Sequence, residues 1–175
     1  MLKYLASAAA LLLASAVPAP ARTFEAPTVV IVVRHAEKGE GDPQNPPLSE
    51  AGRQRAQRLA DLAAPAGVSV IYTTQLRRTR ETAQPLAERL RLTPETVTLT
   101  RENMAGHPAA LASEIKTKHK GKTVLVVGHS NTAPRIAGAL SGQTIPDLND
   151  ATEFDALFVV IIPDDGPARL IRAKY

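Results

Sequence analysis

At 175 residues the chain is long enough for one domain with a substantial core. Hydrophobic residues make up 44% of it but aromatics only 3%, so the core is aliphatic and offers no stacking platform for nucleobases. The net charge of +4 comes from scattered Lys and Arg rather than a stripe, which argues against a nucleic-acid groove. No cysteine is present, which excludes disulfides.

Residues 1–21 are set apart from the rest. Lys3 gives a short positive start, Leu5 to Val17 carries no charge, and Ala19-Pro20-Ala21 is a small-residue stop. This pattern predicts a secretory signal peptide, too short for a transmembrane span. The expectation is a periplasmic or secreted protein, a single domain over 22–175, with no stable membrane insertion after signal cleavage. No second apolar run or C-terminal anchor follows.

The first strand is predicted at Thr28 to Val33, where five β-branched residues precede Arg34 and His35. An apolar run without polar alternation reads as a strand buried on both faces, as in a parallel sheet. Gly39 to Pro47 is loop. Ser49 then caps a helix to about Ala63, with Gly52, Ala56, Leu59, Ala60 and Ala63 as its buried stripe and Arg53, Arg55, Arg58 and Asp61 on a solvated face. Val68 to Tyr72 is a second strand. A helix from Leu76 follows, its stripe running Thr79, Thr82, Ala83, Leu86, Ala87 and Leu90, and Pro85 is expected to kink or divide it. Arg77, Arg78 and Arg80 crowd its first turn against the macrodipole. A bound anion accounts for them, and so does a solvated face paired with Glu81.

Thr96 to Thr100 is a third predicted strand, followed by a helix from about Pro108 to Lys118. The basic run after it places His119 in solvent. Thr123 to Val127 repeats the opening layout: a buried strand delivers His129 to its carboxyl end, and a helix follows near Ala133 to Leu140. Ala156 to Ile162 and Ala168 to Tyr175 form an edge hairpin. The whole is an α/β fold.

In open α/β sheets ligands sit at the carboxyl edge of the strands. That edge gathers Arg34, His35, an arginine from the 77–80 cluster, and His129 at a helix amino terminus. Guanidinium forks and helix amino termini suit a phosphoryl group. The four histidines show no zinc-binding spacing, so no metal is expected, and no phosphate-binding G-x-x-x-x-G-K-[ST] loop is present. A neutral imidazole attacking phosphorus, its other N–H held by an acceptor, is the natural catalyst.

Four blocks in order carry a family resemblance: Arg34-His35-Ala36-Glu37-Lys38, Leu48-Ser49-Glu50-Ala51-Gly52-Arg53-Gln54-Arg55-Ala56, Thr74-Gln75-Leu76-Arg77-Arg78-Thr79-Arg80-Glu81-Thr82-Ala83, and Val127-Gly128-His129-Ser130-Asn131. With these the chain resembles the histidine phosphatase superfamily, of phosphoglycerate-mutase-like fold, and its small phosphatase members in particular. The resemblance implies a three-layer α/β/α sandwich around a mostly parallel sheet, with the C-terminal hairpin antiparallel. It implies His35 as the nucleophile that becomes phosphorylated, with Arg34, Arg78 and His129 binding the phosphate. Thr74 stands where the family has Ser. The family's acidic proton donor is not found in an intact motif; Glu102 lies in about the right place and His107 is a second candidate.

The expected function is a metal-independent phosphatase, without cofactor, acting on small phosphomonoesters or phosphoramidates through a phosphohistidine. A phosphoryl-transferring mutase and a non-catalytic phospholigand-binding module are the alternatives. The short stretch between His35 and Arg78 gives a mutase little material for a closed pocket, and the intact histidine pair counts against a binding module.

Overall fold

A computed structural model describes residues 26–175; the predicted signal peptide lies outside them. The elements run β1 (Thr28–Arg34), α1 (Glu50–Ala63), β2 (Val68–Thr74), α2 (Arg77–Leu90), β3 (Glu95–Val97), α3 (His107–Lys118), β4 (Thr123–Gly128), α4 (Thr132–Ser141), β5 (Ala156–Ile162) and β6 (Arg169–Lys174). Six strands form one sheet in the order β3-β2-β4-β1-β5-β6. The first four of that order run parallel, and β5 and β6 join β1 as an antiparallel hairpin. Among the described residues no helix is long and apolar enough to cross a membrane.

β1 shows why the layers form. Val30 and Val32 pack on one side of the sheet with Leu111 and Ile115 of α3 and Ile136 and Leu140 of α4. Ile31 and Val33 pack on the other with Leu59 and Ala60 of α1 and Leu86 of α2. Because side chains alternate, only a strand apolar at every position fills both layers. Each such side chain contributes about 1.5–3 kcal/mol by leaving water.

Helix α1 follows its predicted pattern closely. The Ser49 hydroxyl accepts from Gly52 N–H at 3.1 Å, a cap worth about 1 kcal/mol. The five predicted stripe residues are its buried ones. Gly52 has a specific reason to lack a side chain: a Cβ there would sit 2.3 Å from the Glu37 carbonyl oxygen. This close approach seats α1 against the segment that follows His35.

Several expectations need correction. Helix α2 runs unbroken through Pro85. An interior proline costs about 3 kcal/mol, but Thr82, Ala83, Leu86 and Ala87 on either side of it are buried and hold both halves to the sheet. Strand β3 spans only Glu95–Val97 rather than 96–100, because it pairs only the last residues of β2, Tyr72 to Thr74. Arg55 does not lie on a free solvated face. Its guanidinium forks onto the Glu37 carboxylate at 2.7–3.0 Å and also donates to the Tyr175 carbonyl at 2.9 Å. His119 is buried, 8% exposed. It caps α3 and its Nε2 lies 2.8 Å from the Tyr72 hydroxyl on β2. The lysines around it point outward while its ring turns in, a distinction that charge patterning does not carry.

Candidate active site

Strand register brings the two histidines together. β1 and β4 are adjacent and parallel, with Arg34 opposite Gly128, so the next residue of each strand leaves the sheet at one point. His35 N–H donates to the Gly128 carbonyl at 2.9 Å. The two rings lie edge to face with centroids 5.5 Å apart. Gly128 permits this tight exit, since a Cβ there would stand 2.8 Å from the Thr132 hydroxyl. That same hydroxyl accepts from His129 N–H at 2.9 Å and fixes the start of α4.

The His35 ring is 2% exposed with its residue, and its Nδ1 lies 2.8 Å from the Ala36 carbonyl oxygen. A carbonyl only accepts, so Nδ1 carries the proton and Nε2 the lone pair. Burial pushes the His35 pKa down to about 4, against the opposing Ala36 hydrogen bond and with help from the positive charges of Arg34, Arg78 and Lys38. Burial likewise pushes His129 down to about 3, reinforced by His35, Arg78 and Arg34. Both imidazoles are therefore neutral near pH 7.

Thr74 and Thr82 are the supporting hydroxyls. Thr74 Oγ1 is 3.2 Å from His129 Nε2 and 2.9 Å from Thr79 Oγ1. The Thr-for-Ser departure thus keeps a hydroxyl beside the second histidine. Thr82 Oγ1 accepts from Ala36 N–H at 2.9 Å and donates to the Arg78 carbonyl at 2.7 Å, tying the first turn of α2 to the residue after His35. The stripe pattern marks Thr82 as buried but does not reveal this bridge.

The arginines differ in setting. Arg34 is fully buried, with Nη1 donating to the Asn149 carbonyl at 2.9 Å and Nη2 to the Asp150 carboxylate at 2.8 Å. The Phe154 ring stacks 4.0 Å from its guanidinium carbon. Arg78 is half-buried, whereas Arg77 and Arg80 are exposed; Arg77 pairs with Glu81. The cluster thus divides between the two sequence explanations, Arg78 facing inward and the others solvated. Among the described residues the Nε–H groups of Arg34 and Arg78 are buried without a protein partner, a situation that costs free energy unless an acceptor is supplied. The Gly39–Pro47 loop closes at its base through the Lys38–Leu48 pairing, and its Asn45 side chain accepts from Arg77 N–H at 2.7 Å.

The two candidate proton donors are placed very differently. Glu102 is exposed in the turn before α3, and no hydrogen bond or ion pair joins it to either histidine among the described residues. Its carboxyl is held below the usual range chiefly by the Thr100 hydroxyl. His107 is buried, 7% exposed, and lines a small cavity with Thr73, Thr74 and Gly128. Its charge bears on His129, and burial lowers its own pKa. Asp150 and Phe154, on the stretch between α4 and β5, belong to no recognised block and were missed by the sequence reading. Among the described residues no three His, Cys, Asp or Glu form a group able to hold a metal ion.

Residues 30–111 match the family model described as "Histidine phosphatase superfamily (branch 1)". That region contains the first three of the four blocks. Among solved structures, the protein histidine phosphatase SixA complexed with tungstate is similar at a TM-score of 0.64 and 16% identity, over 83% of this chain and 96% of that one. A mycobacterial glucosyl-3-phosphoglycerate phosphatase is similar at a TM-score of 0.59 and 16% identity, over 83% and 97%. A phosphoserine phosphatase from Entamoeba histolytica is similar at 0.55 and 15%, over 81% and 98%. At these identities the shared feature is the fold. The matched region covers a little under half of the chain and, with the ordered blocks and the shared fold, it supports the histidine phosphatase superfamily.

Proposed function

We propose that this chain is a metal-independent phosphatase that hydrolyses small phosphomonoesters or phosphoramidates through a covalent phosphohistidine on His35, after export directed by residues 1–21. The enzyme class, a phosphatase, is supported by the family match and by the phosphatases that share the fold. The observation that carries the mechanism is the pinned tautomer of His35: Nδ1–H on the Ala36 carbonyl, with Nε2 free 5.5 Å (ring to ring) from a second neutral imidazole.

In the first step the Nε2 lone pair attacks phosphorus and the bond to the leaving oxygen or nitrogen breaks. The departing atom takes a proton from an acid in the site. The guanidiniums of Arg34 and Arg78, with His129, face the charge on the equatorial oxygens. In the second step water attacks phosphorus and returns a proton to the acid spent in the first, the N–P bond breaks, inorganic phosphate leaves and Nε2 recovers its lone pair. Of the two donor candidates, position favours His107, which lines a cavity with Thr74 and Gly128, over the exposed Glu102, while burial works against the protonated form His107 would need.

The test is a phosphatase screen over sugar, aryl, lipid and phosphoramidate substrates, with and without chelator, alongside His35→Ala. The expected result is chelator-resistant turnover, an acid-labile phosphoryl label on the wild type, and neither in the variant. Loss of turnover in chelator overturns the metal-free mechanism, and a label surviving in His35→Ala overturns the choice of nucleophile.

A further inference from the structure

One carboxylate outside every recognised block meets the groups that the blocks bring to the sheet edge. Asp150 Oδ1 accepts from Arg34 Nη2 at 2.8 Å and from the Ser130 hydroxyl at 3.0 Å, and Oδ2 accepts from the Lys38 ammonium at 3.2 Å. Its charge also reaches Arg78. An anion with two acceptor atoms, bound by a guanidinium, an ammonium and a hydroxyl, has the partners that a phosphoryl group takes.

The geometry separates holding Arg34 from competing for it. Arg34 is held well without the carboxylate: Nη1 donates to the Asn149 carbonyl at 2.9 Å, Nη2 donates to the Asp150 main-chain carbonyl at 3.1 Å, and Phe154 stacks on the guanidinium. The Asp150 side chain is 59% exposed while that of Arg34 is wholly buried. A carboxylate in that position returns to water at little desolvation cost, and the guanidinium stays where it is. Burial works against ionisation of Asp150, but its bonds from Ser130 and Lys38 and the charge of Arg34 prevail, so its pKa lies below the ordinary aspartate value. A group so thoroughly ionised is unsuited to protonating a leaving group.

We propose that the Asp150 carboxylate is an internal competitor for the oxyanion site, resting on Arg34, Lys38 and Ser130 and giving way when a phosphoryl group binds. This rests on the reading of Arg34 as a phosphate ligand. Asp150 thereby sets how tightly the enzyme holds both substrate and the inorganic phosphate it releases.

The experiment measures binding of inorganic phosphate by calorimetry, and its competitive inhibition of aryl phosphate turnover, in wild type, Asp150→Asn and Asp150→Ala. Asparagine keeps the shape and the bond from Ser130, and alanine removes both. The expected result is phosphate binding tighter by about fivefold in both variants, the size of a part-exposed ion pair, with a lower KM and slower product release. Unchanged or weaker phosphate binding in Asp150→Asn, which preserves the fold most closely, overturns the competitor role and makes Asp150 a positioning residue for Arg34. A wild type that binds no phosphate overturns the phosphate site itself, an outcome distinct from the former.

Discussion

His35 and His129 each end a buried parallel strand, yet one ring faces a carbonyl and the other a hydroxyl. The Ala36 carbonyl accepts only, so the His35 proton is confined to Nδ1 and the lone pair to Nε2. The Thr74 hydroxyl can donate or accept, so His129 is free to hold its proton on either nitrogen. The chain also leaves the two strands differently. After His35 it enters the loop closed by Lys38 and Leu48, while three residues after His129 it is already helical. A repeated sequence layout has therefore produced one ring with a fixed lone pair, as the proposed nucleophile needs, and one able to adapt to charge on its neighbour.

The sharpest way to break this comparison is to remove each ring. His35→Ala is expected to lower kcat/KM for an aryl phosphate on the order of 10⁴-fold and to abolish the phosphoryl label. His129→Ala is expected to lower it on the order of 10²–10³-fold while the label still forms slowly. Equal loss of labelling in both would erase the distinction.

The pH profile probes what the rings share. Both folded pKa values, about 4 and about 3, lie below the ordinary histidine value of 6.5. The unfolded chain therefore binds protons first as the pH falls, so this contribution to stability is complete above 6.5 and is lost as the pH drops from there towards about 3. The acid limb of kcat/KM for the free enzyme should likewise fall well below 6.5, reporting the coupled pair rather than either ring. A limb at 6.5 would mean that the rings are hydrated.

A smaller effect isolates the hydroxyl. Thr74→Val removes the partner of His129 at nearly constant volume and should reduce kcat by about tenfold, with Thr74→Ser restoring it. Smallest of all is Glu102→Gln, expected to change turnover by less than about twofold on alkyl and aryl phosphates alike, since that carboxylate is exposed and its hydrogen-bond partner is Thr100 rather than either histidine. A selective loss on alkyl phosphates would instead make Glu102 the acid.

Local pattern disclosed much of this molecule. The uninterrupted apolar run of β1, the Ser49 cap and the α1 stripe each follow from adjacent residues and one periodicity, and the ordered blocks pointed to both histidines and to Arg78. What stayed hidden depends on pairing across the chain. Nothing in the residues from Thr28 to Arg34 alone says that β4 is their neighbour; the expected meeting of the two rings came from the repeated layout and the ordered blocks, and the strand register shows how it is achieved. Asp150 reads as one more polar loop residue until the stretch before β5 is folded back over Arg34. Arg55 and His119 look like solvated charge because their partners, Glu37 and Tyr72, lie on other elements.

The placement of β1 between β4 and β5 has a consequence for assembly. Both of its hydrogen-bonding neighbours come from the final third of the polypeptide, so closing the ring of contacts around His35 means closing very long loops. The entropy of doing so is recovered only when the last hairpin docks. A chain cut short before Ala156 would leave the strand that carries His35 with one ladder unmade, and catalytic competence should emerge late and cooperatively during refolding.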